Sequence, residues 1–490
     1  MSMERNENMN QAKLWQIAFF ACNEIATNLY LYLMMYVSYY AVGIVGLGTV
    51  LVSNLVMGMR VFDGFTDPIV GYMVDKTNGR FGKNRPFLVI GNVILALSVI
   101  VMFQFTHRVP DLMKLPFFVL IYACYIIGYT FQCVVTKSAQ SCLTNDPKQR
   151  PMFAMFAGTY NAILAAVIAL LVSGTWVKQY GGFTQELFNT FMVFTVVSSM
   201  GFTALAVIGI WKKDRQEFFG AGKPVKIRFR DYWEVLKSNR AIQMLVLSAA
   251  SDKLALQVRS NSTVVVVVYG IVCCNFEAFG QMSSVIVIPN LFILLFGVGV
   301  IARRMGQRKA LLYGSLGAIV FTVLNILLFI FGDPTTLNFT SFNFFTVAFV
   351  LLYILAYGCS SVSSSIVIPM TADCADYEVY RSGRYVPGLM GTLFSFVDKL
   401  ISSFATTIVG LLVASIGFTK SLPQIDTPYS TGLFAVGIFC LFGLPVIGWV
   451  LNLVAMRFYP LTKEKMEEIQ DRIAEIKRES LAKLEREGEV

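Results

Sequence analysis

The chain has 490 residues, of which 56% are hydrophobic and only 14% charged, with a formal net charge of +10. A composition this apolar excludes a soluble multidomain protein and points to a polytopic membrane protein. The basic residues are spread over alternate loops rather than gathered on one face, which argues against nucleic acid as a partner.

Apolar runs able to cross roughly 30 Å of hydrocarbon number twelve and are called spans 1 to 12: 14–42, 47–74, 87–106, 115–143, 152–177, 187–211, 242–272, 279–302, 310–332, 342–370, 389–418 and 433–458. In the loops on the side opposite the termini the only bases are Arg108, Lys114, Lys178 and Lys420. The positive-inside rule therefore places both termini in the cytoplasm, with the chain in the plasma membrane. The first apolar run is a full span preceded by Glu4 and Glu7, unlike a cleaved signal. The nine cysteines lie in or beside spans without paired spacing, so neither structural disulfides nor a zinc site is expected.

Span 1 carries Asn23, Glu24 and Asn28 ahead of an aromatic run at 30–40. Span 2 places Arg60, Asp63 and Asp67 in an otherwise apolar run, and in a helix this spacing puts all three on one face. A lone charge in mid-membrane costs about 2.5 to 3.5 kcal/mol, so the two carboxylates imply pairing, solvation or a bound cation. The face is a candidate ion site; the plainer alternative is a helix-packing salt bridge with Arg60. Span 2 ends in a basic turn, Gly79, Arg80, Phe81, Gly82, Lys83, Asn84, Arg85, and a similar one, Arg303, Arg304, Met305, Gly306, Gln307, Arg308, Lys309, follows span 8. Recurrence six spans later predicts two related six-helix bundles, 14–211 and 241–458, after a tail at 1–13 and joined by a cytoplasmic linker at 212–240.

Span 4 holds Thr130 and a stripe of Tyr129, Cys133 and Lys137. Span 7 holds Asp252, Lys253 and Arg259. Beyond span 10, Asp373, Asp376 and Tyr380 share a face at the cytoplasmic end. Span 11 carries Asp398 and Lys399, which as neighbours point about 100° apart and do not simply neutralise each other. Inside the spans Glu24, Asp63, Asp67, Asp252 and Asp398 stand against Arg60, Lys137, Lys253, Arg259 and Lys399, the balance an internal pairing network requires. The basic turns anchor topology, with a second role as a cytoplasmic gate in which Arg80, Lys83 and Arg85, or Arg303 and Arg304, meet Asp373 and Asp376. The tail at 459–490 places Met466, Ile469, Ile473 and Ile476 on one stripe, an amphipathic helix for the inner leaflet or the protein.

The stretches D-G-F-T-D-P-I-V-G-Y from Asp63 and G-R-F-G-K-N-R-P from Gly79 resemble the second helix and following loop of the melibiose carrier family. T-A-D-C-A-D-Y-E-V-Y from Thr371 and F-S-F-V-D-K from Phe394 resemble that family's tenth and eleventh helices. These are the glycoside, pentoside and hexuronide cation symporters of the major facilitator superfamily. The resemblance implies an all-α fold of twelve helices in two pseudo-symmetric bundles, a central cavity, and sugar uptake driven by Na⁺ or H⁺ with no other cofactor. It implies that Asp63 and Asp67 bind the cation with Thr66 and Thr130 as neighbouring oxygen ligands, and that Lys399 lies near both cation and sugar. The helix 1 sugar-binding acid falls at Asn23 or Glu24, with Glu24 favoured.

Where melibiose carriers have a second sugar-binding aspartate this chain has Cys133, their tryptophan one turn later is Lys137, and their helix 5 arginine has no counterpart near Phe153. A galactoside is therefore not expected, and spare intramembrane cations point to glucuronides or xylosides. The expected cycle has a cation neutralise Asp63 and Asp67, free their basic partners, and favour sugar binding among Glu24, Asn23, Tyr129, Cys133, Lys137 and Lys399. Arg60, Asp252, Lys253, Arg259 and Asp398 complete the charge network. The expected partners are the bilayer and a small sugar, with a monomer as the working state. A membrane enzyme is disfavoured, because the single His107 falls in an outer loop away from any nucleophile. A carrier or flippase of lipid or another amphiphile is the stronger rival, Lys399 serving an acidic head group.

Overall fold

The computed structural model describes residues 11–76, 81–144, 149–214, 237, 239–341, 343–382, 387–469 and 471–472. Every expected span is occupied by helix, and the described residues form no β-strand. Among them nine helices are long and apolar enough to cross a membrane, ten if Arg240–Arg259 and Ser262–Val272, bent by 50° at their break, count as one span. The expected twelve is thus not reached on length and apolarity. The spans outside the nine are 2, 7 and 11, the three in which acidic and basic residues occur together mid-run.

The chain divides into two compact units that do not follow sequence order. One takes in Met1–Pro224, Asn261–Val287 and Thr406–Phe434; the other takes in Val225–Ser260, Ile288–Ala405 and Ala435–Val490.

In the first unit, the helices of spans 1, 3, 4 and 6 pack around buried polar pins. Asn92 Nδ2 donates to Ser199 Oγ at 2.6 Å and reaches Thr203 Oγ1 at 2.9 Å, and the Ser199 hydroxyl donates in turn to the Ala26 carbonyl. In hydrocarbon such side-chain bonds replace the hydrophobic effect as the force that selects helix partners. The pieces drawn from late in the chain are tied in the same way: Ser262 Oγ donates to the Met35 carbonyl at 2.7 Å, and Tyr39 OH donates to the Pro423 carbonyl at 3.0 Å.

The second unit is built around an apolar cluster that includes Leu245, Leu311, Val362, Ile366 and Met456. At its centre Asn452 Nδ2 donates to Ser315 and Ser363, while Ser248 donates to Asn452 Oδ1. The start of the tail docks here as well. Ile469 is fully buried with Leu461 in the same cluster, so the described part of the amphipathic stripe lies on protein. Ile473 and Ile476 fall outside the described residues.

The two basic turns repeat in conformation as well as in sequence. Gly82 has φ +92° and Gly306 φ +87°, values that penalise any side chain. Each is covered by the segment that follows the last span of its half: a Cβ on Gly82 would meet Asp214 Oδ2 at 2.3 Å, and one on Gly306 would meet Lys463 Cβ at 3.0 Å. The halves differ in what covers the turn. Asp214, fully buried, accepts backbone N–H groups of Lys83, Asn84 and Arg85 at 3.2, 2.9 and 2.9 Å, and pairs with Arg85 Nε at 3.4 Å. A carboxylate is thereby seated on the N-terminus of the span 3 helix, Arg85–Phe105, where orphan N–H groups and the helix dipole both favour negative charge. The second turn has no acid in this place. There Arg308 Nε donates instead to the Met456 carbonyl at 3.0 Å.

Candidate functional site

Spans 2 and 4 bring three of the four expected cation-site residues into contact. Thr66 sits on the face of the Thr49–Lys76 helix toward span 4, and its hydroxyl is 3.0 Å from that of Thr130. Thr130 Oγ1 donates to Asp63 Oδ1 at 3.1 Å, and Thr66 Oγ1 donates to the Asp63 carbonyl at 3.0 Å. Both threonines are buried, whereas Asp63 and Asp67 are half-buried one turn apart. The result is a patch of hard oxygen, carboxylate and hydroxyl, in a helix that hydrocarbon alone would not favour. Oxygen sets of this kind suit an alkali cation or a shared proton.

Beside this patch a tyrosine ladder runs along span 4. Tyr122 and Tyr125 have ring centroids 5.9 Å apart, and Tyr125 stacks on Tyr129 at 6.1 Å. Cys133 is half-buried one turn further on, and the side chain of Lys137 lies outside the described part. Asn23 is fully buried, its Nδ2 donating to Thr136 Oγ1 at 2.7 Å while its Oδ1 meets no hydrogen-bond partner among the described residues. Glu24, the next residue, is half-buried on a different face.

Of the remaining expected residues, Asp252, Lys253, Arg259, Asp398 and Lys399 fall in the second unit. Asp252 is buried and accepts from Trp449 Nε1 at 2.7 Å and from the Ser364 hydroxyl. Arg259, expected in the charge network, is stacked instead: its guanidinium carbon lies 4.4 Å from the Tyr353 ring centroid and 5.2 Å from that of Tyr357. Lys253 and Lys399 are half-buried, and the side chain of Asp398 lies outside the described part.

Of the expected gate, Arg80 and the side chain of Arg303 lie outside the described residues, and Arg304 is exposed. Arg85 is engaged by Asp214 and stacks over Trp211 at 4.7 Å, and Lys83, half-buried, donates its backbone N–H to Asp214. Asp373 and Asp376 are half-buried in the C-terminal part of the Phe344–Ser382 helix, in the second unit. Burial, and then the charge of Asp376, push the Asp373 carboxyl up from its ordinary 3.8 to about 6.

Sequence reasoning missed Asp214, Ser364, Trp449, Tyr353 and Tyr357. The tyrosines carry a readable signal, a spacing of four on an apolar helix, whereas Asp214 looks like one more residue of a hydrophilic linker.

A family model described as "MFS/sugar transport protein" matches residues 19–463, nearly the whole chain. The chain belongs to the MFS/sugar transport protein family. Members of this family are transporters, and its relatives here include symporters of glycosides within the major facilitator superfamily. One is the isoprimeverose transporter of Lactiplantibacillus pentosus, 24% identical over 92% of this chain and 88% of its own. Another is the glucuronide carrier protein homolog of Escherichia coli (strain K12), 24% identical over 94% of this chain and 96% of its own. A third, also from Escherichia coli (strain K12) and named for glycoside/cation symport, is 22% identical over 89% of each chain. Among solved structures, a bacterial homolog of the lysosomal transporter Spinster superposes with a TM-score of 0.60 at 13% identity, covering 94% of this chain and 99% of that one. The nucleoside transporter NupG gives 0.59 at 14% identity, covering 92% and 98%. These likenesses show the fold: a multi-pass, all-helical transporter of the MFS type.

Proposed function

We propose that this chain is a cation-coupled symporter of a glycoside, pentoside or hexuronide in the plasma membrane, with both termini cytoplasmic. The observation that carries the reading is the contact of Asp63 with Thr130 and Thr66, oxygen ligands from two spans meeting inside hydrocarbon. Relatives named for glucuronide, isoprimeverose and glycoside/cation transport support the sugar and the coupling. In this reading Na⁺ or H⁺ neutralises Asp63 and Asp67, which lowers the cost of holding charge in the membrane and favours the sugar-binding state. The coupling arises because each ligand prefers the same state, so the cation gradient drives the solute. In the first unit the sugar is bound with help from Asn23, Glu24, Tyr129, Cys133 and Lys137.

The test is accumulation of labelled glucuronides, xylosides and galactosides in right-side-out vesicles, with and without Na⁺ and across pH. Wild type should concentrate at least one of them only when a Na⁺ or proton gradient is present. Asp63→Asn should abolish accumulation while the protein still inserts and folds. Full accumulation by Asp63→Asn, or uptake indifferent to both gradients, would remove the cation site.

A further inference from the structure

Arg259 is 5% exposed, and its Nη2 is buried without a hydrogen-bond partner. A guanidinium has five N–H donors and stays charged at any physiological pH. Among the described residues no acid reaches it. Asp252 lies seven residues earlier on the same helix, about 10 Å along the axis, and accepts hydrogen bonds from Trp449 and Ser364. What Arg259 does have is aromatic: the rings of Tyr353 and Tyr357, themselves stacked with centroids 6.4 Å apart at 14°. Stacking holds the fork in one plane, yet a ring face is only a weak N–H acceptor, and among the described residues no carboxylate balances the charge.

The next residue is where span 7 breaks. Ser260 is exposed, the helix axis turns by 50°, and Asn261 starts the following piece by accepting the Thr263 N–H on its Oδ1 at 3.0 Å. Interrupted helices of this kind line ligand sites in transporters. A planar cation, short of one acceptor, braced by two aromatic rings and placed at a helix break, is complementary to a carboxylate carried on a sugar ring. The carboxylate would take the fork in two parallel bonds, and the tyrosines offer apolar faces to the C–H side of the ring.

We infer that Arg259, braced by Tyr353 and Tyr357, is the carboxylate receptor of this transporter and that its substrate is a uronide rather than a neutral glycoside. The inference rests on the sugar-symport reading above and adds to it the residue that selects charge.

The test uses the full chain in proteoliposomes, with phenyl β-glucuronide and phenyl β-glucoside as a pair differing in one carboxylate. Wild type should transport the glucuronide about 30-fold more efficiently, the scale of one charge-assisted pair. Arg259→Gln should bring the glucuronide-to-glucoside ratio close to one, and Arg259→Lys should keep part of the preference. A ratio unchanged in Arg259→Gln, or a wild type that prefers the glucoside, overturns the assignment. Competition against wild type guards against a variant that fails to fold: the glucuronide should displace a labelled substrate far better than the glucoside, and equal displacement also overturns the assignment. Glucoside uptake with a flat ratio defeats Arg259 alone; uptake of neither compound under any gradient defeats the symport reading as well.

Discussion

Replacing Asp214 with Ala should open the contact between the start of the span 3 helix and the end of the span 4 helix. The carboxylate holds three backbone N–H groups at the start of the span 3 helix, the Asn84 amide at 3.0 Å, and the Arg85 guanidinium. Each donor left buried and unpaired costs on the order of 1 to 3 kcal/mol, and removing one member of a buried ion pair costs about 3 to 5 kcal/mol. Water entering the opened site recovers part of the loss, so we take about 3 to 4 kcal/mol as the net. Cys142 reports the opening directly, being 1% exposed with its sulfur 3.7 Å from Asn84 Nδ2. If local opening limits reaction, that loss raises maleimide labelling of Cys142 by roughly 10² to 10³. Site-resolved mass spectrometry would follow it, with buried Cys374 in the other unit as the internal reference. Removing a negative charge beside a thiol also favours the reactive thiolate. Asp214→Asn, which loses the charge but keeps an acceptor, measures that contribution. Labelling of Cys142 in Asp214→Ala within threefold of Asp214→Asn would show that the N–H cradle does not hold this end closed.

Asp373 carries a pH signature outside the apolar span. Its folded value is raised, so the protonated form is the one the fold favours, and stability should fall as pH rises from about 4 through about 6. Asp373→Asn should flatten a melting-temperature profile over that window in detergent; an identical slope in the variant would assign the dependence to another group. Trp449→Phe keeps the ring and removes the donor to buried Asp252. It should cost about 1 to 3 kcal/mol by chemical denaturation, and wild-type stability would mean that the Ser364 hydroxyl suffices.

The helical architecture was legible because hydrocarbon imposes it: a run of about twenty apolar residues has no other stable form there. The basic turns were legible twice over, from charge and from glycine, and Gly82 and Gly306 share the conformation that their repetition implied. Equal numbers of intramembrane acids and bases pointed to an internal pairing network. The same count suggested pairing for Arg259, and it failed there because charge number carries no geometry. The guanidinium went to two tyrosines some 95 residues away, a choice made by helix packing. Asp214 was unreadable for a related reason. Its partners lie about 130 residues earlier, and nothing in its neighbourhood distinguishes an acid that caps a helix from one that solvates a linker.

The Thr49–Lys76 helix, with Arg60, Asp63 and Asp67 around its middle, also bears on how the polypeptide is assembled. Each of those groups opposes partition into lipid by a few kcal/mol, so this segment is poorly suited to leave the translocon by itself. Its biogenesis must then be collective: it stays in a protected setting until span 4 has been synthesised and Thr130 is on hand to shelter Asp63. The oxygen patch proposed above as a cation site thereby imposes a timetable on the nascent chain.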